Sequence, residues 1–243
     1  MDLNGKIVLV TGGAGGIGLG IAKALAVEGC KVALADANEE ALADALKAAK
    51  GKFKYVGRVC DITDREQVSK LFEWLGGELG PIDILVNSAG INVGNRMMSN
   101  ISPDDFDRVM KINTTGTFNC IYAALGVMRQ IGEGLIVNIV SLAGKRVMLL
   151  AGMPYCVSKF ATGALGTFVN LEESSNGIKV TNIYPGETNT PIINKRPSPP
   201  PPEKRAKMLQ PEDIAACVVT IAKLPPRAVV PELIITPPHM MVG

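Results

Sequence analysis

The sequence predicts a single α/β domain, a doubly wound parallel sheet of about seven strands with helices on both faces. Short runs rich in Val, Ile and Leu alternate with longer amphipathic segments from one end of the chain to the other. Most of these runs are apolar on both faces, as strands covered by helices above and below must be. The 243 residues are 47% hydrophobic and 20% charged, a balance suited to a sizeable buried core.

Strands are expected at 6–10, 31–35, 54–60, 82–86, 135–140, 179–184 and 232–236, each bounded by turn residues. A helix is expected at 16–28, and an Ala-rich one at 39–49. Thr63-Asp64-Arg65-Glu66 reads as a capping box opening a helix that runs to about Glu78. Ser102-Pro103-Asp104-Asp105 offers an N-cap, a proline at the first helical position and acids at the positive helix end. That helix passes through Asn113 to about Gln130, with room for a break, and further helices are expected at 153–174 and 212–223. The run 196–202, Arg-Pro-Ser-Pro-Pro-Pro-Pro, imposes a polyproline path. Too little chain follows it to fold alone, so it is expected to form a semi-rigid substrate loop, around 192–208, of one domain spanning 1–243.

The formal net charge is only +2 and no basic stripe is visible, which argues against nucleic acid or an anionic membrane as partners. No apolar run is long enough to span a bilayer, and the first residues lack a signal-peptide layout. Five scattered cysteines with no CxxC, and one histidine, His239, suggest buried thiols in a reducing cytoplasm rather than disulfides or a metal site.

Chemistry first appears at Thr11-Gly12-Gly13-Ala14-Gly15-Gly16-Ile17-Gly18, between the first strand and the first helix. There a tight turn lets the backbone approach a pyrophosphate held at the helix N-terminus, which makes the expected fold Rossmann-type. Asp36 closes the second strand. An acid there accepts hydrogen bonds from the adenosine ribose of NAD and repels the 2′-phosphate of NADP, and neither the glycine loop nor Ala37 offers a cation. NAD is therefore the expected cofactor. Further on, Tyr155 and Lys159 stand four residues apart, on one face of a helix. A cation near a phenol lowers its pKa, so the tyrosine can exchange a proton with an alcohol or ketone.

These motifs, taken with several others in order, resemble the short-chain dehydrogenase/reductase family from about Leu3 to Pro237. The others are Cys60-Asp61-Ile62, Asn87-Ser88-Ala89-Gly90, Lys111-Ile112-Asn113, Ser141 within Val140–Gly144, and Pro185-Gly186 followed by Thr190. The resemblance implies Tyr155 as general acid/base, Lys159 as its partner and a ligand of the nicotinamide ribose, and Ser141 as the group that stabilises the substrate oxygen. It implies that Asn113 bends its helix and holds a water in a proton relay. It implies that Gly12, Gly16, Ile17, Gly18, Asp36, Asp61, Ile62, Asn87, Ala89 and Gly90 surround the cofactor, with Pro185, Gly186, Thr188 and Thr190 at the nicotinamide. The family also commonly forms homodimers or homotetramers through the helices bearing Asn113 and Tyr155. Ser88 replaces the usual second asparagine, and Ser141 lies fourteen residues before Tyr155, where thirteen is commoner; an insertion in 144–154 would absorb the difference.

Three segments, 91–100, 145–154 and 192–208, are expected around the substrate, with Met97, Met148, Leu149 and Ile192 among its contacts. Lys145 and Arg146 are candidates for a substrate carboxylate, against the ordinary role of solvated loop cations. The expected activity is NAD-dependent interconversion of a secondary alcohol, or hydroxy acid, and its ketone. The competing readings are an NADPH-dependent ketone or 3-oxoacyl reductase, and a non-catalytic dinucleotide-binding protein.

Overall fold

The structure, a computed structural model, describes residues 2–240. Seven parallel strands form one sheet in the order β3-β2-β1-β4-β5-β6-β7. They are β1 (Ile7–Thr11), β2 (Lys31–Asp36), β3 (Tyr55–Val59), β4 (Ile84–Asn87), β5 (Gly134–Ile139), β6 (Ile178–Pro185) and β7 (Glu232–Ile235). Between them run α1 (Gly16–Val27), α2 (Glu39–Ala49), α3 (Arg65–Glu78), α4 (Pro103–Met110), α5 (Thr117–Ile131), α6 (Met153–Glu173), the short α7 (Pro202–Arg205) and α8 (Pro211–Ala222). The expected fold class and all seven strands are present.

Because successive strand residues point to opposite faces, β1 splits its side chains between two cores. Val8 and Val10 pack with Ile21 and Leu25 of α1 and Ile214 and Val218 of α8. Ile7 and Leu9 pack with Leu71 and Leu75 of α3 and with Ile121 and Met128 of α5. The strand order reverses direction beside β1, which pairs with β2 on one side and β4 on the other. In such sheets the C-terminal strand ends part at this switch point and leave a crevice for a ligand.

Two helix starts illustrate local control. Ser102 caps α4 by accepting from Asp105 N at 3.1 Å, with Pro103 at the first helical position, as expected. The α3 cap differs from the Thr63 box: Asp64 is the N-cap, accepting from Glu66 N and Gln67 N. Both residues are able to cap, and the carboxylate, a stronger acceptor than a hydroxyl, takes the position. The long helix through Asn113 does break, as a π-helical turn at Lys111–Gly116 between α4 and α5. Among the described residues, no helix is long and apolar enough to cross a membrane.

Candidate active site

A cleft of about 670 Å³ opens at the C-terminal ends of the strands. A second cavity, near the opposite strand ends beside Asp83 and Leu135, measures only about 30 Å³. The large cleft has Asp36, Asp61 and Ile62, at the ends of β2 and β3, toward one side of the sheet, and Gly12, Gly16, Ile17, Ala89 and Gly90, after β1 and β4, in its middle. Ser141, Tyr155, Lys159, Pro185, Gly186, Thr188, Thr190, Met148 and Ile192 line the far side, after β5 and β6 and on α6, with Thr190 reaching Gly16 and Lys159 reaching Gly90 in the middle.

The glycine loop is shaped by close backbone approach. A Cβ at Gly18 would lie 2.3 Å from the Gly12 carbonyl oxygen, so only glycine lets α1 begin hard against the turn. Gly18 thus shapes the loop from behind and does not itself line the cleft. Asp36 faces the cleft at the end of β2, where Ala14 N donates to Oδ2 at 3.2 Å and Asn38 N to Oδ1 at 3.0 Å. These donors fix the carboxylate's orientation. The only lysine and arginines lining the cleft, Lys159, Arg96 and Arg196, share its far end with Ser141 and Tyr155.

At that far end, Lys159 is buried and donates from Nζ to the Ile139 carbonyl at 2.8 Å. Its ammonium lies 5.6 Å from the centre of the Tyr155 ring. Burial pushes the Tyr155 phenol up to about 12, partly countered by a hydrogen bond with the Ser141 hydroxyl. Burial also pulls Lys159 down to about 8. The sequence expectation was a phenol depressed by Lys159. The shift runs the other way because desolvation penalises both charged forms, and the ammonium is directed at a carbonyl rather than at the phenol oxygen.

Several expected residues lie elsewhere. Asn113 sits in the π turn behind the wall, accepting from Ile91 N at 2.8 Å and donating to Ile91 O and Ser158 Oγ, both at 3.0 Å. Its side chain therefore holds the strand-following loop against α6. Asn87 is also off the wall. It opens an asparagine ladder across three strands, Asn87 Nδ2 to Asn138 Oδ1 at 2.9 Å and Asn138 Nδ2 to Asn182 Oδ1 at 3.0 Å. Met97 and Leu149 point outward, Leu149 being 76% exposed, and neither lines the cleft. Lys145 is paired with Glu232, and neither it nor Arg146 lines the cleft. Arg96, Glu187 and Arg196 line it instead, and sequence reasoning did not single them out.

Comparison with known proteins agrees with this geometry. Residues 6–200 match the short chain dehydrogenase family. The chain belongs to that family, whose members are oxidoreductases built on a fold that binds a nicotinamide dinucleotide. It is 35% identical over 228 residues to a D-threitol dehydrogenase of Mycolicibacterium smegmatis, covering 90% of this chain and 86% of that protein. It is 35% identical over 245 residues to a glycine betaine reductase of Emericella nidulans, covering 97% of this chain but only 19% of that much longer protein. The closed form of a serine dehydrogenase complexed with NADP+ superposes with a TM-score of 0.87 at 27% identity, covering 98% and 97% of the two chains.

Proposed function

We propose that this protein is an NAD-dependent oxidoreductase that interconverts a secondary alcohol, or hydroxy acid, and its ketone, with Tyr155 as general acid/base. The observation that carries the reading is the pairing of a Tyr155–Ser141–Lys159 cluster at one end of the cleft with a fixed carboxylate, Asp36, at the other. The bound dinucleotide supplies the hydride acceptor or donor. Tyr155 takes the alcohol proton or returns it to the ketone, and Ser141 hydrogen-bonds the substrate oxygen as its charge develops. Lys159 supplies the nearby positive charge and ribose contacts, while Asn113 positions the loop at Ile91 from behind.

Gly12, Gly16, Ile17, Asp61, Ile62, Ala89 and Gly90 would surround the dinucleotide, with Gly18 and Asn87 supporting them from behind. Pro185, Gly186, Thr188 and Thr190 would hold the nicotinamide. Screening a panel of secondary alcohols with NAD+ for NADH formation tests the reading. Turnover of at least one is expected, and none at any pH would contradict it.

Asp36 is the proposed selector. Two unit charges about 4 Å apart at an effective dielectric of about 20 repel by about 4 kcal/mol, which solvent and salt reduce at this partly exposed site. An NAD preference on the order of 100-fold is expected, and Asp36→Ala should relax it to within about tenfold. Measured kcat/KM for both cofactors in the variant checks this; an unchanged ratio would clear Asp36 of the role. The NADP+ bound to the serine dehydrogenase favours the cofactor half of the second reading, an NADPH-dependent reductase.

The four buried cysteines suit a reducing cytoplasm. Phe118, Tyr122, Phe160, Phe168 and Leu171 leave an exposed apolar surface on α5 and α6, which supports a homodimer or homotetramer formed through those helices. Light scattering should give a multiple of the chain mass, and Phe168→Glu should shift it toward monomer. A wild-type monomer at micromolar concentration would refute the assembly.

A further inference from the structure

The substrate end of the cleft holds a cation with no described counter-ion. Arg96, in the loop after β4, is only 4% exposed and lines the same cleft as Ser141 and Tyr155. Its guanidinium donates to three backbone carbonyls: Nε to Gly94 at 3.3 Å, Nη1 to Leu150 at 3.3 Å and Nη2 to Lys195 at 2.6 Å. Three of a guanidinium's five N–H groups are thereby used, and one remains on each terminal nitrogen. Carbonyl dipoles do not cancel a full charge, and an unpaired buried cation is costly. Desolvation and the neighbouring Arg196 both push the Arg96 pKa down, which marks the same imbalance.

The stem of Arg96 has a prepared path. Gly152 sits at φ +84°, and a Cβ there would fall 2.5 Å from Arg96 Cβ and Cγ. Residue 152 therefore has to be glycine for the arginine to lie where it does. Arg96 thus ties together all three loops that surround the substrate end.

The surrounding charge points the same way. Arg196 lines the cleft but is paired with Glu187 at 2.8 Å, and Glu187 also faces His239 at 3.4 Å. The acid is therefore committed, and the positive charge of Arg96 is left over. In sequence, the segment 192–208 carries Lys195, Arg196, Lys204, Arg205 and Lys207 against a single acid, Glu203, in a chain whose net charge is only +2. The cleft that Arg96 shares with Tyr155 also has apolar lining from Met148, Leu150, Ile192 and Ile193.

We propose that Arg96 receives an anionic oxygen group, a carboxylate or phosphate, on the substrate, an apolar stretch separating that group from the reacting carbinol carbon. This rests on the reading that Tyr155 marks the reacting end. The two remaining N–H groups of the guanidinium suit oxyanion recognition, and the incoming charge offsets that of Arg96 while its loop contacts stay in place.

The test separates binding from turnover. Thermal melting of the full chain is followed with hexanoate, hexyl phosphate and 1-hexanol, for the wild type, Arg96→Gln and Arg96→Lys. At least one anion should raise the wild-type Tm while the neutral alcohol does not, and the stronger anion tells carboxylate from phosphate. Arg96→Gln should weaken that anion's binding about thirtyfold or more, and Arg96→Lys should recover part of the loss by restoring the charge. No anion-dependent shift in the wild type, or equal shifts in wild type and Arg96→Gln, overturns the proposal. If Arg96→Gln does not fold, wild-type kinetics decide. Straight-chain hydroxy acids of four to eight carbons should be turned over about tenfold or more faster in kcat/KM than their methyl esters, and equal rates overturn the proposal. Anion binding lost in Arg96→Gln but unchanged in Tyr155→Phe, in a protein that oxidises no alcohol, would retain the anion site while refuting the catalytic reading.

Discussion

Replacing Tyr155 with Phe should lower turnover by about 10²- to 10⁴-fold while leaving NADH affinity within about threefold of wild type, because only the acid/base group is removed. The ring keeps its place on α6 and its packing beside Lys159, so the cleft's shape survives. What is lost is the hydroxyl proposed to carry the proton and its hydrogen bond with Ser141. Steady-state rates and a fluorescence titration of NADH on the same preparation check both halves. Near wild-type turnover would remove Tyr155 from the chemistry. Loss of both activity and binding would mean that the phenol maintains the cleft rather than moving a proton.

Lys159→Met should change the pH dependence as strongly as the rate. In the proposed mechanism oxidation requires the Tyr155–Lys159 pair to give up a proton, so its kcat/KM should rise with pH, whereas reduction consumes a proton and should fall. Lys159, held down to about 8, is the more acidic member, and Tyr155 is held up to about 12. The wild-type oxidation limb should therefore lie at or below about pH 8, since the positive nicotinamide of the oxidised cofactor further favours deprotonation. Removing Lys159 leaves only the phenol to titrate. The limb should then move up by about two units or more, and oxidation at pH 7 should fall by about 100-fold or more. A limb that stays near pH 8 in Lys159→Met would assign it to another group.

Much of this architecture was legible because it is local. Gly12 to Gly18, Asp36 and the Tyr155–Lys159 spacing each declare themselves within one strand–turn–helix unit, and the cleft gathers most of them. Features set by distant partners were not legible. Asn87 reads as a cofactor contact in its motif, yet register pairs it with Asn138, and Asn138 with Asn182, so its amide nitrogen is engaged inside the sheet while its buried Oδ1 has no described partner. Lys145 follows Ser141 closely in sequence, but Glu232, 87 residues away, holds it elsewhere. Arg96 looks like any loop cation until the fold brings Leu150 and Lys195 to its guanidinium. Met97 and Leu149 show the same limit: sequence located the loops but not the faces of their side chains.

The most direct test of the central claim is separate titration of the purified protein with NADH and NADPH, read by nucleotide fluorescence. On the proposed reading NADH should bind more tightly, on the order of 100-fold, because the Asp36 carboxylate, fixed by Ala14 and Asn38, would meet ribose hydroxyls in one case and a phosphate in the other. Tighter binding of NADPH would contradict the NAD-dependent reading and turn the search toward ketone reduction. Binding of neither would contradict the enzyme reading itself.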